Sequence, residues 1–238
     1  MTPVMALAAL GLTSGARPLD ASAVPASSAP PDRRLRRGEF RAGLQLGRVL
    51  AAAPRLALAP RGDGGVVVDV PGWRAPEASG APIRAYLRHL GHDARSWGLG
   101  TNHGSVGSDV DALVLTVTRL AGESGRPVAL VGWSLGGVIA REVARLVPEH
   151  VRVVVTYGSP VLGGPTIAPH LAGRNDRDRV PTTAILSRRD GIVDWRACVD
   201  RRSPVVDHVE VGSTHLGMVL DPDVWAVVAE RLAVGARP

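Results

Sequence analysis

The chain has 238 residues, enough for one sizeable α/β domain. Its 45% hydrophobic and 21% charged residues exclude wholesale disorder, and with aromatics at 3% the core must be built from small and branched aliphatic side chains. The net charge is +6, but all 28 basic residues are arginines scattered among acids, with no basic stripe or aromatic platform, which argues against a nucleic-acid partner.

The N-terminus carries an apolar run from Val4 to Leu12 with no basic residue before it, which argues against a secretory signal. The Ala21-Ser22-Ala23 triplet is compatible with cleavage, so export stays open. The single cysteine, Cys198, excludes an intramolecular disulfide and favours a reducing, cytoplasmic setting. No stretch of 18 or more apolar residues is present, so no transmembrane helix is expected.

Residues 1–37 are rich in Pro, Ala, Ser and Arg, with the dense run Arg33, Arg34, Arg36 and Arg37. They read as a disordered or flexible leader before a single domain over 38–238. From Glu39 to Ala53 the spacing of Phe40, Leu44, Leu46, Val49 and Leu50 predicts an amphipathic helix, ended by Pro54 and Pro60. The turn Arg61-Gly62-Asp63-Gly64-Gly65 launches the first clear strand, Val66–Val70.

Beyond it, short apolar runs alternate with longer helical periods, the βαβ signature of a mostly parallel sheet. Six strands are expected: Val66–Val70, Asp93–Trp97, Val128–Gly132, Val151–Tyr157, Thr183–Leu186 and His208–Val211. Helices are expected over Ile83–Leu90, Val110–Ala121, Leu135–Leu146 and Pro222–Leu232.

The strand Val128-Ala129-Leu130-Val131 runs straight into Gly132-Trp133-Ser134-Leu135-Gly136, a G-x-S-x-G nucleophile elbow in the strand-to-helix context that motif requires. In such a turn Gly132 and Gly136 leave room for the neighbouring helix and strand, and the Ser134 hydroxyl projects at the carboxyl end of the sheet. A serine hydroxyl is a poor nucleophile at neutral pH, so a histidine must take its proton and an acid must orient that histidine.

Of the histidines after the strand that follows the elbow helix, His170 sits in a polar loop and His208 within the last strand. His215 follows that strand and precedes the final helix, and is the expected base. For the acid, Asp190 in the turn past Thr183–Leu186 is favoured over Asp194, whose alternative role is to cap a short helix. The expected oxyanion donors are the backbone amides of Leu135, after the nucleophile, and of Trp73, in Pro71-Gly72-Trp73.

These residues resemble a known group. Arg61 to Gly64, Val70-Pro71-Gly72-Trp73, Tyr86 to His92, Trp97 to Gly100, Gly132 to Gly137, Gly158-Ser159-Pro160, Ser187 to Trp195 and His215-Leu216-Gly217 are together similar to small bacterial α/β-hydrolases of the lipase and esterase type, PGAP-like deacylases among them. The resemblance covers about residues 61 to 235 and implies the α/β-hydrolase fold with a minimal or absent cap. It also implies a triad of Ser134, Asp190 and His215 that hydrolyses carboxylic esters through an acyl-enzyme.

The segment between Gly158 and Val180 is short and polar, so a large apolar lid is not expected and soluble esters are favoured. His103 either lines the pocket or is a solvated loop residue. The expected partner is a small-molecule or lipid-like ester, and no metal or organic cofactor is implied, since no Cys/His cluster or phosphate-binding loop is present. The competing readings are an acyltransferase using the same triad and a non-catalytic binding module on the same fold.

Overall fold

The computed structural model describes residues 15–25, 30–39, 45–161 and 179–234. Its centre is a seven-stranded sheet in the order β1-β7-β6-β5-β4-β2-β3. The strands are β1 Arg17–Pro18, β2 Val66–Val70, β3 Asp93–Ser96, β4 Val128–Trp133, β5 Val151–Tyr157, β6 Thr182–Leu186 and β7 Val206–Glu210. Strands β2 to β7 pair in parallel, and only β1 runs antiparallel, against β7.

The valine-rich strands are buried on both faces, as a parallel sheet between helical layers demands. Successive side chains alternate between two cores. Val67, Val131, Val155 and Val209 join one cluster with α3 (Ala81–His89) and α6 (Pro222–Val234). Val66, Val68, Leu130 and Val154 join another with α4 (Val106–Ser124) and α5 (Leu135–Leu146). Each fully buried Val or Leu side chain contributes about 1.5–3 kcal/mol, which sets these layers. Among the described residues no helix is long and apolar enough to cross a membrane.

Three expectations change. The sheet has a seventh strand, and it lies in the segment expected to be a free leader. Arg17 and Pro18 pair with Glu210 and Val209, the Leu19 amide donates to the His208 carbonyl at 3.0 Å, and Val24 is buried against Leu186, Cys198 and Val199. A second part of that segment forms α1 (Arg33–Gly38), capped by the Asp32 carboxylate, which accepts from the Arg34 amide at 2.8 Å. Composition suggested disorder, but a few residues suffice to satisfy the exposed edge of β7. Residues 1–14 and 26–29 of the expected leader lie outside the described residues.

The third change concerns the helix expected over Glu39–Ala53, whose residues 40–44 also lie outside the described residues. Its remainder is α2 (Gln45–Leu56), which runs through Pro54 instead of stopping there. Proline in a helix costs about 3 kcal/mol through its missing N–H and its clash with the preceding turn. Here burial of Leu56 and Ala59, with Val49 and Ala52 packed on the same core, offsets it.

Sheet order also fixes where chemistry can occur. The chain leaves β2 outward to β3 and returns on the other side of β2 to form β4, so the order reverses between β2 and β4. In open α/β sheets the crevice at the strands' carboxyl ends opens at such a reversal. Val70 of β2 pairs with Gly132 of β4, so Pro71-Gly72-Trp73 and Trp133-Ser134-Leu135 emerge side by side at that point.

Candidate active site

Ser134 stands between β4 and α5 with φ 53° and ψ −122°, a region that side-chain-bearing residues rarely occupy. The turn is held by the Ser134 amide donating to the Tyr157 carbonyl at 2.9 Å and the Gly137 amide donating to the Ser134 carbonyl at 3.1 Å. Close approach explains the two elbow glycines. A Cβ on Gly132 would meet Gly137 Cα at 2.5 Å, and one on Gly136 would run into the carbonyl oxygens of Val70 and Pro71. Leu135 is the first residue of α5, so its N–H has no acceptor within the helix and points toward the crevice end of the sheet.

The base and acid candidates arrive on adjacent loops. Leu186 of β6 pairs with Glu210 of β7, so the segments after these strands start level with each other. His215 Nδ1 then lies 2.6 Å from Asp190 Oδ2, with both side chains buried. The other Asp190 oxygen accepts from the amides of Ile192 at 2.8 Å and Val193 at 2.7 Å, which fixes the carboxylate's rotation. The His215 ring sits beside Trp133, centroid to centroid 5.5 Å. A Cβ on Gly158, the residue after Tyr157, would come within 3.0 Å of His215 Nδ1. Ser134 and His215 therefore both abut the carboxyl end of β5.

The other candidates fall elsewhere. Asp194 caps the 3-10 turn Trp195–Cys198, accepting from the Arg196 amide at 3.1 Å. His208 is buried in β7 with Nε2 accepting from the Asp200 amide at 2.9 Å, and burial holds its pKa below the usual imidazole range. That makes it a structural acceptor, tied to the buried Asp200–Arg141 ion pair. His103 is exposed. His170 and most of the segment expected to lack a lid, residues 162–178, lie outside the described residues. Burial pushes the Cys198 thiol well above its ordinary value, with the carboxylates of Asp190 and Asp194 adding to the shift, so it is no rival nucleophile.

Trp73 follows β2 and is exposed, with its indole edge against Gly104. Sequence reasoning missed what shapes this loop. Asn102 is fully buried, its Nδ2 donates to the Pro71 carbonyl at 2.8 Å and its Oδ1 accepts from the Gly104 amide at 3.0 Å. Its backbone carbonyl accepts from the Arg74 amide at 2.7 Å, and Arg74 has φ 59°. The only sequence signal was an asparagine flanked by glycines after a strand, beside the His103 that drew attention instead.

Glu39 was missed as well. Its buried carboxylate accepts three amides, those of Gly191, His215 and Leu216. Among the described residues no three His, Cys, Asp or Glu side chains gather so as to hold a metal ion.

No protein-family model matches the chain, and no curated protein matches its sequence. Solved structures do. A monoacylglycerol lipase of Paleococcus ferrophilus superposes with a TM-score of 0.60 at 13% identity, over 75% of this chain and 97% of that one. A structure from work on LipS and LipT, two metagenome-derived lipolytic enzymes, gives 0.57 at 18% identity over 73% and 94%. Aspergillus fumigatus lipase B gives 0.53 at 17% identity over 69% of this chain, which spans about half, 51%, of that longer one. At these identities the likeness concerns architecture. With the reversal at β2 and β4 and the strained turn at Ser134, it gives the chain the α/β-hydrolase fold.

Proposed function

We propose that the chain is a serine hydrolase that cleaves carboxylic esters through an acyl-enzyme, with Ser134 as nucleophile, His215 as base and Asp190 as the acid that orients it. The carrying observation is that a serine at a strained strand-to-helix turn and a buried His215–Asp190 pair at 2.6 Å abut the end of the same strand. The lipases and lipolytic enzymes that share the fold support the same reading.

In this mechanism the Ser134 hydroxyl attacks the acyl carbonyl while His215 Nε2 takes its proton. The Asp190 carboxylate holds the Nδ1 proton and stabilises the imidazolium that forms. Negative charge builds on the carbonyl oxygen, where the amides of Leu135 and Trp73 are the donors. One lies at a helix N-terminus and the other in the loop pinned by Asn102. His215 returns the proton to the departing alkoxide, leaving an acyl-serine. Water attacks this ester in turn with His215 again as base, which releases the acid and restores Ser134.

Hydrolysis of p-nitrophenyl acetate and butyrate tests the reading. Wild type should turn over both, and Ser134→Ala should lose activity to near background. Equal rates for the two proteins would refute it.

A further inference from the structure

We propose that Glu39 is a positioning residue for the acid and the base, and that the N-terminal strap is there to deliver it. The inference rests on the assignment of Ser134, Asp190 and His215 as the reacting set.

Glu39 Oε1 accepts from the Gly191 amide at 2.9 Å and from the His215 amide at 2.9 Å, and Oε2 accepts from the Leu216 amide at 2.8 Å. Gly191 directly follows Asp190. One carboxylate thus holds the backbone of both partners, while the His215–Asp190 bond ties their side chains. Neither bond alone fixes the geometry. The side-chain bond lets the two loops slide or tilt as a pair, and the Glu39 bridge locks the loops to each other and to a third segment.

That segment is itself anchored before and after Glu39. Upstream, β1 adds to the sheet edge and Val24 is buried, and α1 packs so tightly on the acid turn that a Cβ on Gly191 would meet Leu35 C and O at 2.5 Å and Arg36 N at 2.7 Å. Downstream, Gln45 Nε2 donates to Ser213 Oγ at 3.2 Å, two residues before His215, and Arg48 pairs with Asp221 and Asp223.

The residue type matters. Burying a carboxylate is costly, and a neutral side chain would be the cheaper way to tie down a loop. An ionised carboxylate accepts through both oxygens, so it can serve three amides where an amide side chain would set its own N–H group against one of theirs. It also places a carboxylate on the backbone amide of the residue whose imidazole becomes cationic in the reaction.

The test compares full-length wild type with Glu39→Gln. Three quantities are read: kcat and KM for p-nitrophenyl butyrate, the thermal midpoint, and the downfield proton resonance of His215 Nδ1–H. Glu39→Gln should melt as a folded protein, lose roughly 10- to 100-fold in kcat with KM little changed, and show that resonance shifted or broadened. A folded variant with wild-type kcat and an unaltered resonance would overturn the proposal.

Amide hydrogen exchange on the wild type alone gives a second arm. The Gly191, His215 and Leu216 amides should be protected, and exchange at the rate of open loop amides would overturn the proposal even if no variant folds. The resonance and exchange arms do not depend on turnover. If Ser134→Ala proved fully active, the ester-hydrolase reading would fail while the role of Glu39 would still be decided.

Discussion

The Oδ2 atom of Asp190 lies 2.6 Å from Nδ1 of His215, although 25 positions separate them in the chain, and Asp194, only four residues on from Asp190, is spent on capping a 3-10 turn. The two carboxylates are therefore distinguishable by experiment. Asp190→Asn keeps the shape but disturbs the imidazole tautomer, and kcat should fall by about 10⁴-fold. Asp194→Asn retains a competent cap and should leave kcat nearly unchanged. Steady-state kinetics on both variants check this, and the reverse ranking would move the acid to Asp194.

Asn102 anchors the loop that carries the Trp73 amide. Asn102→Ala leaves the buried Pro71 carbonyl and the Gly104 amide without their side-chain partners, which should lower stability by about 1–3 kcal/mol. If the Trp73 amide is an oxyanion donor, kcat should also fall by about 10²-fold, with KM less affected. Denaturant melts and kinetics on the same preparation separate the two effects. A stability loss with intact kcat would remove Trp73 from the oxyanion site.

Two glycines have opposite prospects. Gly136→Ala would force a methyl group onto the carbonyls of Val70 and Pro71, and at least 1–3 kcal/mol of destabilisation is expected, roughly as for overpacking elsewhere. Gly107, in the first turn of α4, has open space where a Cβ would go, and Gly107→Ala should be neutral or should stabilise by up to about 1 kcal/mol. Thermal midpoints of the two variants should shift in opposite directions or differ clearly in size.

Stability should also depend on pH through buried acids. Burial pushes the Glu230 carboxyl from 4.5 up to about 7, and it pushes Asp69, beside Arg84, from 3.8 up to about 6. For an acid whose folded pKa is raised, the folded state binds the proton more tightly, so its contribution is fully present below the unfolded pKa and is lost as pH rises through the folded one. Between about pH 4.5 and 7 the Glu230 contribution should decline. Glu230→Gln should flatten that part of the decline and raise the melting temperature at pH 8 relative to wild type. Parallel stability curves for the two proteins would show that Glu230 does not titrate in this way.

The legible parts of the fold were those written locally. Val66–Val70 and Val128–Val131 announce buried strands by composition, and Gly132-Xaa-Ser134-Xaa-Gly136 marks the elbow because its steric demands fall within five residues. Their places just past the last two parallel strands pointed to His215 and Asp190 as a pair, and the two side chains do meet, at 2.6 Å. What escaped was held by distant partners. Arg17–Pro18 is too short to show any periodicity, and its strand state comes only from the edge of β7. Glu39 looked like the start of a helix because its three partners lie 152 to 177 positions away. Pro54 misled for the same reason, since the burial that carries α2 past it depends on α3 and α6.

In the proposed mechanism the Ser134 hydroxyl is the nucleophile, and covalent labelling reads this most directly. The full-length protein is treated with a fluorophosphonate, digested and mapped by mass spectrometry. A single adduct on Ser134, absent from Ser134→Ala and slowed in His215→Ala, is the predicted result. An unlabelled protein, or an adduct on another residue that persists in Ser134→Ala, would contradict the account.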